Sequence, residues 1–220
     1  MVSQSIVAYT VDFGNYDTFE PVQWPCICIV DKERELPQGW EVVRKKPKLK
    51  DLRRASRYPK FLPSKYFQAE FSIYFDGNIR LKMSPEEIVQ RWLIDTDADL
   101  AMFPHPQRTC VYQEAKAVLK RGKADPEMIA KQILRYKKAG FPHNFGLTAC
   151  WLIVRRHVNK MWLLGRTWWD EYCIGSCRDQ MSFDYARWKL GVKYVPLPGN
   201  LFEKGGSLIC FRAPHRGRKW

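Results

Sequence analysis

Three polar residues stand where an apolar pattern would have no reason to break. In "FSIYFDGNIRLK" (71–82) a strand-like run ends in Asp76, Gly77 and Asn78 before the apolar pattern resumes at Ile79. Side chains two apart on an extended chain point to one side, so Asp76 and Asn78 can aim oxygens at one point. Gly77 lets the backbone turn or approach a ligand closely. One carboxylate and one carboxamide oxygen suit Mg²⁺ or Mn²⁺, an ion that keeps waters and takes phosphate oxygens. An Asp-Gly turn joining two strands of a hairpin explains the same residues without chemistry.

The second feature is charge. Lys and Arg outnumber Asp and Glu 37 to 23, a net charge of +14. The excess collects in "RKKPKLKDLRRASRYPK" (44–60), "RRHVNK" (155–160) and the tail 212–220. Any one run is an ordinary solvated face. Three together favour a polyanionic ligand: a nucleotide diphosphate, a nucleic acid or an acidic glycan. With 45% hydrophobic and 14% aromatic residues the chain is expected to be globular. It carries no apolar run long enough to cross a bilayer and no secretory signal, and its seven cysteines lack metal-ligand spacing. A reduced, cytoplasmic protein without a membrane span is the expectation, host cytoplasm if phage-encoded.

The elements that must position these groups alternate. Apolar runs at 5–11, 26–30, 40–43, 71–75, 100–103 and 147–155 suit strands. "SPEEIVQRWLID" (84–95) opens with a Ser N-cap and Pro at the first helical position. A helical pair follows, stopping at Gly122 and Gly140, and then two more helices, "WLLGRTWWDEYCIG" and "RDQMSFDYARWKLG". The pattern predicts an α/β fold in a single domain over 1–220, a three-layer α/β/α sandwich around a mostly parallel central sheet. Ligands of such sheets sit beyond the carboxyl ends of the strands, where residues 76–78 would emerge.

The assembly "RRASRYPKFLPSKYF…FSIYFDGN" resembles the glycosyltransferase-like domain of plant mucilage-related and turgor-regulation proteins, which also occurs in bacteria and phages. "YTVDFGNYD" (9–17), "FPHPQRTCVYQEA" (103–115), "GLTACWLIVRRH" (147–157) and "CRDQMSFDYARWKLG" (177–191) extend the resemblance over most of the chain. It implies a GT-A-like fold and sugar transfer from a nucleotide-sugar donor such as a UDP-sugar, assisted by Mn²⁺ or Mg²⁺. Asp76 matches the first position of the acidic "DxD" motif of those enzymes, and Asn78 takes the second. A neutral amide there weakens the hold on an ion.

The same resemblance assigns Tyr9, Thr10, Tyr16 and Asp17 to the nucleoside, although Tyr9 reads equally as core. Arg54, Arg57 and Lys60, on a helix feeding the motif strand, are assigned to the diphosphate, for which guanidinium forks are apt. Asp179 and Gln180 resemble an Asp-Gln pair near the acceptor, as general base or as stabiliser of an oxocarbenium-like charge. Asp179 as a helix N-cap is compatible with either. His105 in "FPHP" is a third candidate catalytic residue, and a buried, hydrogen-bonded His is the alternative. In the tail "HRGRKW", His215 and Lys219 resemble a shortened metal- and diphosphate-binding segment. The acceptor is expected to be a polyanion bearing a hydroxyl. A hydroxylated base in phage-type DNA is one reading and an envelope or capsule glycan another. A basic nucleic-acid-binding module without catalysis is the non-enzymatic alternative, although no recognised nucleic-acid-binding motif is present. A hydrolase finds no nucleophile elbow or HExxH motif.

Overall fold

The computed structural model describes residues 5–213. Seven strands form one sheet: β1 (Ile6–Asp12), β2 (Cys26–Val30), β3 (Trp40–Arg44), β4 (Phe71–Phe75), β6 (Leu100–Pro104), β7 (Thr148–Arg156) and β8 (Val195–Pro196). Their order is β3-β2-β1-β4-β7-β6-β8, and β5 (Ile79–Leu81) pairs with β9 (Cys210–Arg212) in a separate two-stranded ladder. Only β7 runs against the rest of the main sheet: its pairings with β4 and β6 are antiparallel, and all others are parallel. The six strand-like runs of the sequence are six of these seven strands. The short β5, β8 and β9 carry too few residues to set up a period.

The period of two in β4 divides the core. Phe71, Ile73 and Phe75 enter a cluster with Ile88, Trp92 and Leu93 on one face. Tyr74 enters a cluster with Phe61, Trp168 and Phe183 on the other. All five β4 residues are buried, as expected of a central strand covered on both faces. The first face is covered by α3 (Pro85–Val89) and the π-helical turn Gln90–Ile94 that continues it. Its start is the Ser N-cap read from the sequence, which the structure completes as a capping box, with Ser84 Oγ accepting from the Glu87 amide and the Glu87 carboxylate from the Ser84 amide. The second face is covered by α1 (Leu52–Ala55), α2 (Arg57–Phe61), α6 (Asn159–Cys173) and α7 (Gln180–Lys189). The three-layer α/β sandwich on a mostly parallel sheet is thus the observed architecture. The predicted helical pair, α4 (Val111–Lys120) and α5 (Pro126–Lys138), packs with α7 around its own cluster, which includes Tyr136 and Tyr185.

One predicted element is broken. The helix expected to run through 53–60 is two short helices that meet at Ser56, whose hydroxyl donates to the Arg53 carbonyl. Pro59 has no amide hydrogen to offer a continuous helix. Arg155, buried within β7, donates to the Phe61 and Lys60 carbonyls, and Tyr9 Oη donates to the Pro59 carbonyl at 3.0 Å. The carboxyl end of α2 is therefore bolted to the sheet. Close packing extends to α6, where a side chain on Gly165 would overlap the Phe61 carbonyl.

Candidate active site

The turn Asp76–Asn78 is not a hairpin tip. After β4 the Ile79 amide bonds the Asp76 carbonyl at 2.8 Å, and the chain leaves the main sheet to pair with β9. The turn opens onto a cavity of about 630 Å³ at the carboxyl ends of β1 and β4, lined by Asp12, Tyr16, Asp17, Tyr74 and all three turn residues. Its cations are five arginines and one lysine: Arg53, Arg57, Arg121, Lys123, Arg178 and Arg212. Partial burial and the neighbouring Arg178 and Arg121 guanidiniums push Lys123 below the ordinary lysine value. Cations outnumber carboxylates on this wall six to three.

The carboxylates are arranged in two groups. Asp12, at the end of β1, accepts the amides of Tyr16 (2.9 Å) and Asp17 (3.2 Å) and the Arg34 guanidinium (2.8 Å). It thereby folds the loop 13–17 over the cavity. Asp17 lies so close to Gly77 that a Cβ there would sit 2.5 Å from its Oδ2, which is why glycine occupies the turn. Burial first, then the Asp12 and Asp76 carboxylates, push Asp17 up to about 7.

The second group is an ion cluster behind the cavity wall. Lys60, whose side chain is 1% exposed, places Nζ 2.6 Å from Asp179 Oδ2 and 3.3 Å from Asp76 Oδ1. Arg57 Nε stands 3.3 Å from the same Asp179 oxygen. Tyr74 Oη donates to Asp76 Oδ1 at 2.8 Å. Burial pushes Asp179 up, but Lys60 and Arg57 more than offset it and hold the acid well below the usual carboxylate range. A carboxylate so firmly ionised and doubly paired is a poor proton acceptor; it fixes the cations around it.

The sequence-derived site residues therefore divide. Asp76, Asn78, Tyr16, Asp17 and Arg57 meet at the cavity. Tyr9 and Thr10 do not: both are fully buried, and Tyr9 packs edge-on against Phe67 and Tyr74, so neither can meet a nucleoside without opening the core. Arg54 points away, its guanidinium donating to the Tyr172 and Cys173 carbonyls at the end of α6, a helix cap rather than a diphosphate ligand. Lys60 lies behind the cavity wall, in contact with Asp76. Gln180 and His105 converge on the buried Glu114: Gln180 Nε2 donates to it at 2.6 Å, and His105 stands beside the Arg108–Glu114 pair. The His105 ring accepts the amides of Gln107 and Arg108, and burial lowers its affinity for a proton. That network braces the β6–α4 connection. His215 and Lys219 lie outside the described residues.

Asp12, Arg121, Lys123, Arg178 and Arg212 line the cavity without having been singled out. Asp12 had a signal, a carboxylate closing the strand in "YTVDFG". Arg121 and Lys123 flank a helix-stop glycine in "LKRGKAD", and nothing local reveals that the α4–α5 turn reaches the cavity. Among the described residues no group of three or more His, Cys, Asp or Glu side chains could hold a metal ion. Asp76 and Asn78 fit one as a partial set, since among the described residues Asp76 Oδ2 accepts no hydrogen bond and phosphate oxygens and water complete such a sphere.

Residues 29–207 match the family described as "TOD1/MUCI70, glycosyltransferase-like domain". The chain belongs to this family. It is 32% identical over 152 residues to "Probable hexosyltransferase MUCI70" of Arabidopsis thaliana, covering 65% of this chain and 26% of that protein. It is 26% identical over 155 residues to "Alkaline ceramidase TOD1" of the same plant, covering 66% of this chain and 33% of that one. The chain thus spans a third or less of the curated relatives it matches. Among solved structures it is similar to apo mouse xyloside xylosyltransferase 1 (TM-score 0.47, 10% identity, 88% of this chain and 84% of that one). It is also similar to the apo WbbM bifunctional glycosyltransferase (TM-score 0.48, 9% identity, 90% and 39%). As a TOD1/MUCI70-family member, this is a glycosyltransferase-like domain. No helix among the described residues is long and apolar enough to cross a membrane.

Proposed function

We propose that the cavity binds the diphosphate of a nucleotide-sugar, with a UDP-sugar as the first donor to try, and transfers the sugar to a hydroxyl on a polyanionic acceptor. The observation that carries this reading is the Asp76–Asn78 turn opening into an arginine-walled cavity of about 630 Å³ in a glycosyltransferase-like family. That volume suits a ligand of nucleotide-sugar size.

The largest charge to develop during transfer is on the departing diphosphate. Arg57, with its guanidinium held by Asp179, would meet it with a forked donor already in place, joined by Arg53, Arg121 and Arg178 from the cavity wall. Mn²⁺ or Mg²⁺, held by Asp76 and Asn78, would supply further positive charge at the phosphates. Tyr16 and Asp17, on the loop folded by Asp12, would meet the nucleoside. Asp179 acts here as the counter-ion that orients Arg57 and Lys60. The acceptor reading follows from charge: a hydroxylated base in DNA, flipped out or presented in an open strand, is one candidate, and an acidic glycan is the other.

The test is a thermal-shift titration with UDP and a panel of UDP-sugars, with and without Mn²⁺, followed by donor hydrolysis and transfer assays. UDP should raise the melting temperature by mass action, and Asp76→Ala should remove the Mn²⁺-dependent part. Absence of any nucleotide effect, or turnover of ceramide without sugar transfer, would overturn the reading.

A further inference from the structure

The α1–α2 segment faces two ways. Arg53, Ser56 and Arg57 look into the cavity, whereas Tyr58 lines a second, open depression of about 370 Å³ with Tyr66, Lys45, Lys46, Lys48 and Lys65. The four lysines are exposed, and among the described residues none is paired with a carboxylate. Their neighbours are rings. Lys48 Nζ lies 5.5 Å from the centre of Tyr58, and Lys65 Nζ lies 6.0 Å from Trp162, which is 41% exposed. Edge-on contacts of Tyr58 with Trp169 (4.9 Å) and Tyr66 (6.4 Å) hold the tyrosines rigid. Four cations without carboxylate partners among the described residues repel one another, and ring contacts engage only two of them, Lys48 and Lys65.

We propose that this depression is a docking surface for single-stranded nucleic acid, with the lysines on phosphodiester oxygens and bases against Tyr58 and Tyr66. A bilayer is flat and cannot enter a concavity, which disfavours a membrane surface. An acidic polysaccharide presents planar carboxylates, and the matched donor for those is the guanidinium fork. Here every cation is an ammonium, a point donor that meets a tetrahedral phosphate from any direction, and rings interleaved with cations are the pattern of strand-binding grooves. The inference rests on the transferase reading only in making the strand the acceptor. Binding itself does not require turnover.

The experiment is fluorescence anisotropy of a labelled single-stranded 20-mer across a salt series. It compares the unaltered chain with a Lys45→Gln/Lys46→Gln/Lys48→Gln/Lys65→Gln variant, and each protein's UDP-induced thermal shift is measured alongside. Surface lysine-to-glutamine changes leave the core alone, and the melting curves verify that. The expected result is at least about tenfold weaker binding at low salt. The log–log salt slope should fall by up to about 3, from about 0.7 per lost phosphate contact on a single strand. The UDP shift should be unchanged. Unaltered affinity and slope would overturn the proposal, as would polygalacturonate or anionic vesicles competing better than DNA. Loss of the UDP shift together with DNA binding would overturn the separateness of the two sites. If UDP never shifts the unaltered protein, the donor reading fails while the DNA titration still reports on this face.

Discussion

The two basic regions on either side of α1–α2 handle positive charge in opposite ways. In the cavity the cations are mostly arginines, and Arg57 and the underlying Lys60 are tied to Asp179, with Asp76 in the same cluster. In the outer depression they are lysines, none with a carboxylate partner among the described residues. A guanidinium held by a buried carboxylate is aimed before a ligand arrives, so little conformational entropy remains to be lost on binding. An exposed lysine retains its rotamer freedom and binds any phosphate that comes near. The first arrangement suits one ligand in one pose and tolerates few substitutions. The second suits a polymer in many registers and loses affinity gradually.

Breaking the buried cluster should produce the largest effect. Asp179→Ala leaves Lys60 and Arg57 without their shared counter-ion, and removal of one partner of such a pair costs about 3–5 kcal/mol. Denaturant unfolding would read that loss. A Lys60→Met/Asp179→Leu double variant should lose less than the two single variants together, because Lys60 and Asp179 no longer orphan one another and Arg57 alone is left without its counter-ion. Next comes Asp76→Ala, expected to lower sugar transfer by about 10²–10³-fold, the scale on which a single group facing developing charge operates. Its melting temperature should change little, since the Asp76 side chain is 39% exposed. Arg57→Lys keeps the charge and removes the fork. The expected outcome is a rise in donor KM of about tenfold with kcat less affected. Equal behaviour of Arg57→Lys and the unaltered enzyme would erase the distinction between the two regions.

Much of this was legible in residue types. Six of the seven strands of the main sheet announce themselves as apolar runs, and Ser84, Gly122 and Gly140 mark helix ends through chemistry that acts locally. The Asp76–Asn78 turn was visible because polar groups interrupt a buried strand. What could not be read was direction. Arg54 and Arg57 are three apart on one basic segment, yet one caps α6 and the other faces the cavity, because Ser56 breaks the helix and Arg155 with Tyr9 fixes its far end. The resemblance offers Asp179 as general base or charge stabiliser, and a helix-start carboxylate reads the same whether it faces solvent or a buried lysine. Lys60 and Asp179 are 119 positions apart, and no periodicity reports such a contact. Arg121 and Lys123 reach the cavity only through the packing of α4 and α5 against α7.

The last comparison tests whether the cavity holds its acids under tension as well as its bases in place. Asp17 sits at about 7 in the folded chain against an ordinary value of 3.8. The folded state therefore retains a proton that the unfolded chain has already released, and stability falls as pH rises from about 4 to about 7, then levels. Asp17→Asn removes the ionisation while keeping shape. Its melting temperature should match that of the unaltered chain below pH 4 and exceed it increasingly up to pH 7. In the outer depression the lysine variants should show no pH-dependent gap over that window. A constant offset between Asp17→Asn and the unaltered chain at all pH values would mean that the crowding of Asp12, Asp17 and Asp76 around Gly77 is relieved by solvent. The contrast between a strained, pre-aimed cavity and a relaxed outer face would then rest on the arginines alone.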